Sequence, residues 1–301
     1  MVAKSIKVGV LRHRYRKTST LVSPDLSLKL AAAVEGMPAF PRSVKRILAL
    51  TRDVNCAPKD LVRVIDKDPV ITVKVLRVVN SAYYSLSKQI TSIDHAVVFL
   101  GFNTIKNLAL SIAAIGMLPA TPEAGFDGQQ YLLHSLATAG IAKQLGQRLP
   151  DVDPHDCFIA GLLHDFGQVV IAQFMPLEFR KAREASLWHE TSLHQALRDV
   201  IGVDHAAIGA MLAEKWRFAP NLIETIAHQH EPDLLDTGMV ASVFAANQIS
   251  QRLGFDFGGS PVLAPLPSQI ALRLGGTLDE VMATLGDLTP LLDEAQRFSR
   301  I

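Results

Sequence analysis

The chain has 301 residues, and its 30 Lys and Arg stand against 29 Asp and Glu for a net charge of +1. That balance provides no overall field demanding nucleic acid, and two cysteines, Cys56 and Cys157, give neither a metal-type spacing nor a disulfide framework. With 49% hydrophobic residues there is ample material for one large or two modest cores, no apolar run is expected to span a membrane, and the cysteine usage fits a reducing cytoplasm.

The N-terminal MVAKSIKVGVLRHRYRK is basic and lacks the apolar core and cleavage site of a signal peptide. Residues 1–24 therefore read as a tail or a linker from an upstream module. IKVGVL within it is the best strand-like run in the chain, and RHRYRK offers phosphates only a generic attraction. From there helical periodicity dominates. FPRSVKRILALTRD places Val44, Ile47, Leu48 and Thr51 on one face, and APKDLVRVIDKD repeats the pattern with Leu61, Val62 and Ile65. Asp68 followed by Pro69 reads as an N-cap and first helical residue, opening PVITVKVLRVVN, which is apolar nearly all round. Asn80 and Ser81 mark the helix end, with Tyr83 and Tyr84 available for packing or a binding surface. SIDHAVVFLGF starts at a Ser92 cap and stops at Gly101, and NTIKNLALSIAAIGML is a further buried helix. The Pro- and Gly-rich PATPEAGFDG, residues 119–128, is a loop or domain junction.

Beyond that junction most of the histidines appear, each on a predicted helix. QYLLHSLATAGIAKQLGQRL carries His134, and PHDCFIAGLLHDFGQVVIAQF carries the adjacent His164 and Asp165. SLHQALRDVIGVDHAAIGAMLAEKW carries His194 and His205, and APNLIETIAHQHEP carries His228 and His230. TGMVASVFAANQISQRL places Asn247 on an apolar helix, and TLDEVMATLGDLTPLLDEAQRF closes the chain with one or two amphipathic helices. No strand pattern of comparable strength exists, so the fold class is all-α.

An imidazole beside a carboxylate in an apolar helix needs partners, because an unpaired buried charge is costly. His134, His164, Asp165, His205 and His230 could supply each other with such partners, or they could ligate a metal ion; nitrogen with carboxylate suits iron, manganese or zinc. On a continuous helix His164 and Asp165 point ~100° apart, so a shared site must lie against the helix between them. Gly161 and Gly167 permit close approach there. His155, His189 and His194 lie in more polar stretches and read as surface residues.

The order of these residues resembles the HD phosphohydrolase superfamily, and the chain as a whole resembles its HDOD branch, the HD-related output domain of bacterial signalling proteins. MPAFPRSVKRILAL, DPVITVKVLRVVNSAYYS, ITSIDHAVVFLGFNTIKNLAL, HSLATAGIAKQL, FIAGLLHDFGQVV, HAAIGAMLAEKW and HQHEP carry the likeness. The resemblance implies two packed helical bundles: an N-terminal HDOD bundle over residues 25–120 and a degenerate HD-like bundle over 121–301. It matches His134, His164, Asp165, His205 and His230 to superfamily metal-ligand positions. Gln229 stands where catalytic relatives have the first of two adjacent histidines, His228 lies one residue further back, and the late aspartate position falls at Asn247. No glycine-tyrosine-proline motif of the cyclic-di-GMP phosphodiesterase relatives follows. The implied function is an output domain acting through signalling proteins such as receiver, cyclase or transcription-regulator modules, with a divalent metal at a weakened site. The alternative is a metal-dependent phosphohydrolase acting on a nucleotide or cyclic dinucleotide.

Overall fold

A computed structural model describes residues 24–39, 42–50, 56–80, 89–116, 118, 122–257, 263 and 265–299. The basic tail, IKVGVL, Thr51, Ser81, Tyr83 and Tyr84 lie outside the described residues. The fold is all-α, with no strand among the described residues.

Contacts divide the chain into two units. One comprises α2 (Arg42–Leu50), α3 (Pro58–Asp66), α4 (Pro69–Val79), α5 (Ile93–Leu100), α6 (Phe102–Ile115) and α17 (Thr289–Phe298). Of the apolar positions that the periodicity picks out, Val44, Ile47, Leu61, Val62 and Ile65 are buried, the Leu48 side chain lies outside the described residues, and Val75, Val79, Ile93 and Ile105 are buried with them. Local chemistry fixes the helix ends. The Asp68 carboxylate accepts from Ile71 N at 3.2 Å and from Ser43 Oγ at 2.6 Å, so one side chain both caps α4 and ties it to α2. Asn80 ends α4 by donating to Leu76 O and Ile90 O while accepting from Ile90 N at 2.7 Å. Ser92 caps α5, and Gly101, at φ 83°, closes it in a conformation that favours glycine.

The other unit comprises α1 (Pro24–Gly36), α7 (Gly128–Gly146), α8 (Pro154–Leu163), α9 (Phe166–Phe174), α10 (Pro176–Trp188), α11 (Leu193–Ile201), α12 (His205–Lys215), α13 (Pro220–His228), α14 (Gly238–Arg252), α15 (Ser268–Leu274) and α16 (Leu278–Leu285). The division therefore differs from a simple cut near residue 120: α1 groups with the second half and α17 with the first. The reason for α1 is visible. The Lys215 ammonium donates to the carbonyls of Val34, Glu35 and Met37 at 2.9, 2.6 and 2.8 Å, and Trp216 Nε1 donates to Pro38 O at 3.1 Å. A cation on the last residue of α12 thus satisfies the orphan carbonyls of α1.

In this unit α7, α8 and α14 form the centre, and α14 is buried from Gly238 to Ser250. The apolar run Pro154–Phe174 has the length and composition of a membrane span, which the sequence did not lead one to expect, and it is buried as core. It is also not one helix. Asp165, at φ −93° and ψ 8°, breaks it into α8 and α9. Likewise the histidine-bearing segment 192–216 is two helices, parted at Gly202 in the left-handed region with φ 75°.

Two glycines set the spacing. A Cβ on Gly161 would stand 2.8 Å from Ala139 Cα, so α8 meets α7 backbone to backbone. A Cβ on Gly167 would overlap the His205 carbonyl oxygen and approach Gly209 N at 2.8 Å, so α9 crosses α12 at a pair of glycines. Backbone cannot give way as a side chain can. Gly167→Ala is expected to cost about 3 kcal/mol or more, the upper range for overpacking a tight core. Urea denaturation measures this; unchanged stability would mean that the α9–α12 crossing is looser than described.

Candidate metal centre

The break at Asp165 brings the histidine-aspartate pair to bear. On an unbroken helix the two side chains would diverge. Here the backbone turns between α8 and α9, and both face the same cluster. His164 Nε2 lies 3.4 Å from Asp165 Oδ2, and His134 Nε2, from the middle of α7, lies 3.6 Å from the same oxygen. The two Nε2 atoms are 3.3 Å apart. On the other side of the carboxylate, His205 Nε2 lies 2.9 Å from Asp165 Oδ1, and His230 Nε2 lies 2.8 Å from His205 Nε2. All five residues assigned from the sequence converge. His134, His164, Asp165 and His205 are buried, and His230 is half-buried.

Neighbouring structure orients the inner rings. His134 Nδ1 donates to Phe255 O at 2.6 Å, and His164 Nδ1 donates to Gly161 O at 2.7 Å. A carbonyl can only accept, so both Nδ1 atoms carry the proton, and in the neutral rings both Nε2 atoms present lone pairs. The Phe255 carbonyl is itself held in place. Gly254, at φ 85°, turns the chain after α14, Phe255 N donates to Ser250 O, and Ser250 Oγ donates to Phe255 O at 3.1 Å. Phe257, two residues on, is locked against Phe126 and Tyr131 at ring separations of 4.8 and 5.3 Å. Tyr131 lies one turn before His134 on α7, so aromatic packing and ring orientation share one scaffold.

The cluster has too few protons for its acceptors. Two imidazole lone pairs and Oδ2 converge on one point, and Asp165 Oδ1, 2.9 Å from His205 Nε2, is buried with no hydrogen-bond partner assigned among the described residues. Such a set could hold a cation, and two donor groups fit one: His134, His164 and Asp165, and Asp165, His205 and His230, with all donor atoms within 4.8 Å of one another in each. The carboxylate is common to both groups, one oxygen facing each. Electrostatics follow this geometry. Burial opposes ionisation of Asp165, but His164 and His205 outweigh it and hold the carboxyl well below the ordinary range. Burial also opposes a charge on His134, but Asp165 overrides it and raises that ring, while burial pushes His164 down to about 4. A proton resolving the inner group thus resides on His134.

A cleft of about 950 Å³ opens onto Asp165, His134, His205 and His230. Its lining corrects one sequence expectation. His194 is not a surface residue: its ring stacks on His230 at 4.2 Å and 13°, and burial pushes it down to about 4. His155 is half-buried, and His189 is exposed. Gln229, where the resemblance implies a histidine, is buried and donates to the carbonyls of His164 at 2.5 Å and Ile226 at 3.2 Å. It braces the backbone at the break between α8 and α9. Asn247 does line the cleft, with its Oδ1 accepting from Gln251 Nε2 at 3.1 Å.

Sequence reasoning missed the charged frame around the outer group. Arg198 on α11 donates through Nε to Asp204 Oδ2 at 2.8 Å and through Nη2 to Glu231 Oε1 at 2.7 Å. The legible signal was an acidic residue directly beside each of two candidate histidines, Asp204–His205 and His230–Glu231.

Comparison with known proteins adds context to this geometry. A family model described as the HDOD domain matches residues 37–232. A solved structure from Geobacter sulfurreducens, an HDOD domain protein of unknown function, is 26% identical with a TM-score of 0.74, covering 90% of this chain and 98% of that one. An uncharacterised protein of Treponema pallidum is 28% identical over 207 residues, 68% of this chain but 40% of the relative. Ribonuclease Y of Mycoplasma mycoides is 26% identical over 168 residues, 55% of this chain and 33% of that enzyme. The chain thus spans well under half of either curated relative.

Introducing the two residues that the resemblance implies should give opposite results. Asn247→Asp puts a carboxylate on the cleft wall and is expected to raise Mn²⁺ affinity about tenfold in calorimetric titration. Gln229→His removes the donor from His164 O, adds no ligand, and is expected to cost ~1–3 kcal/mol of stability. A gain in affinity from Gln229→His would show that its side chain reaches the cluster.

Proposed function

Because this chain belongs to the HDOD family, we propose that it is a bacterial signal-transduction output module that works by binding other proteins, with its HD-type cluster kept as a divalent-metal centre and not as a phosphohydrolase. The observation that carries this reading is the charge of the cleft. Asp165, Glu190, Glu231, Asp233 and Asp256 line it, and among its described lining residues there is no lysine or arginine. Phosphoryl-transfer sites hold the charge of the phosphate with arginine, lysine and metal ions together. Here the metal would stand alone against several carboxylates, and the guanidinium beside the cleft is already matched by Asp204 and Glu231.

His134, His164 and Asp165 would hold one ion, and Asp165, His205 and His230 a second, as iron, manganese or zinc. A bound ion of this kind supplies Lewis acidity and a water of lowered pKa. The chain's own residues orient the ligands: Phe255 O and Gly161 O fix the inner tautomers, and Gln229 holds the backbone at the His164–Asp165 break.

Partners of the receiver, cyclase or transcription-regulator type, in the cytoplasm and without membrane contact, fit this role. The unit containing α4 and α5 offers a face for them, since Val70, Val73, Val98 and Phe99 are exposed there. Nucleic acid is not the favoured partner, because the chain's net charge is only +1. A metal-dependent phosphohydrolase acting on a nucleotide is the second reading. It is favoured by the Asp165 carboxylate, whose two oxygens face separate histidine pairs as in a two-metal template.

Metal analysis of purified protein, combined with hydrolysis assays on nucleotides and cyclic dinucleotides, separates the two. The expected result is bound metal without turnover, and signalling output that survives His164→Ala and Asp165→Ala in folded protein. Turnover with stoichiometric metal, or complete loss of output in both variants with melting temperature and partner binding unchanged, would establish the hydrolase instead.

A further inference from the structure

We propose that Arg198 is the positioning residue of the outer half of the centre, setting the separation of His205 and His230 by pinning the residue beside each of them. This rests on the cluster being a metal centre.

The two halves are oriented by different means. In the inner half each ring is tethered directly, His134 to Phe255 O and His164 to Gly161 O. In the outer half His205 Nδ1 is buried with no hydrogen-bond partner among the described residues, so no such tether aims that ring. Its direction comes from its backbone, at the first residue of α12. The N-cap of that helix is Asp204, whose Oδ1 accepts from Ala207 N at 2.9 Å. Asp204 Oδ2 takes the Arg198 fork, from Nε at 2.8 Å and Nη2 at 2.5 Å. The same Nη2 reaches Glu231 Oε1 at 2.7 Å, immediately after His230. One planar cation on α11 therefore joins the residue preceding one histidine to the residue following the other.

The chemistry requires an arginine. Buried Asp204 and cleft-lining Glu231 share one guanidinium nitrogen, and without that cation the two carboxylates repel. The Arg198 and Asp204 side chains are only 20% and 6% exposed, so solvent screens the interaction weakly. A fixed fork meets two acceptors in defined directions, whereas an ammonium supplies a point charge. No corresponding cation stands beside His134 or His164 among the contacts described above, so removing Arg198 should act on one half alone.

The test is Arg198→Gln, with Arg198→Lys as the conservative variant, in the full chain. Mn²⁺ titration of the wild type should resolve a tight and a weak phase. In Arg198→Gln the weak phase should lose affinity by about 10- to 100-fold, the range for a residue that orients metal ligands, with the tight phase within about twofold and Arg198→Lys in between. Imidazole ¹H–¹⁵N spectra of the metal-free protein should show the His205 and His230 signals moving, with those of His134 and His164 unmoved. Equal weakening of both phases, or movement of all four signals, would mean a general structural role and would overturn the proposal; so would two unchanged phases. If Arg198→Gln does not fold, Glu231→Gln leaves the N-cap intact and should move His230 ahead of His205; no movement would be equally fatal. A wild type that binds no Mn²⁺ refutes the metal centre and with it the role toward metal, while the metal-free spectra still decide whether Arg198 places the two rings.

Discussion

The C-terminal unit is organised around a carboxylate that it buries without protonating. Asp165 is 6% exposed, and its two oxygens face imidazole nitrogens on both sides. Breaking a buried ion pair costs about 3–5 kcal/mol, against a typical total stability of ~5–15 kcal/mol. The unit therefore cannot leave Asp165 without positive charge nearby. Segments from four parts of the chain bring imidazole nitrogens to it, and Asp165 raises His134 so that this ring takes up the balancing proton; the glycine contacts that let α8 lie on α7 and α9 on α12 serve the same convergence.

The two sides of that carboxylate differ in how firmly they are built. The inner side is a closed construction: each ring nitrogen not facing Asp165 is committed to a carbonyl, and one of those carbonyls is fixed by the aromatic cluster around Phe257. The outer side faces the cleft, stacks on His194 and takes its geometry from salt bridges at its edge. The inner rings are thus oriented by direct hydrogen bonds and the outer pair by contacts at the cleft. The acidic lining tells against anionic contents and in favour of cations.

Much of this was legible in the sequence because the signals were local. Asp68–Pro69, Ser92 and Gly101 mark helix ends by hydrogen bonds made within a turn, and the structure places those ends as the pattern implies. The five cluster residues were legible through their order along the chain. The break at Asp165 was not, because an apolar run gives no warning of a bend that only tertiary contacts stabilise. The role of Gln229 was not legible for a related reason: its amide reaches a backbone carbonyl 65 residues away. His194 looked like a surface residue because its sequence neighbours are polar, whereas its ring faces inward onto His230. Arg198 was invisible as a functional residue because a charge on a helix normally faces water, and only the fold brings Asp204 and Glu231 to it.

The carbonyl cap supplied by Lys215 carries a consequence for folding order. The hydrogen bond to Val34 joins residues 181 apart in sequence, and the whole stretch 39–118 lies between them. During synthesis α1 leaves the ribosome long before α12 exists, and its C-terminal carbonyls must stay hydrated until Lys215 and Trp216 arrive. The intervening helices, whose contacts are nearer in sequence, can collapse first. Closing so long a loop adds little entropy cost per further residue, but it places the docking of α1 late. The first described helix is thus among the last parts of the unit to be secured.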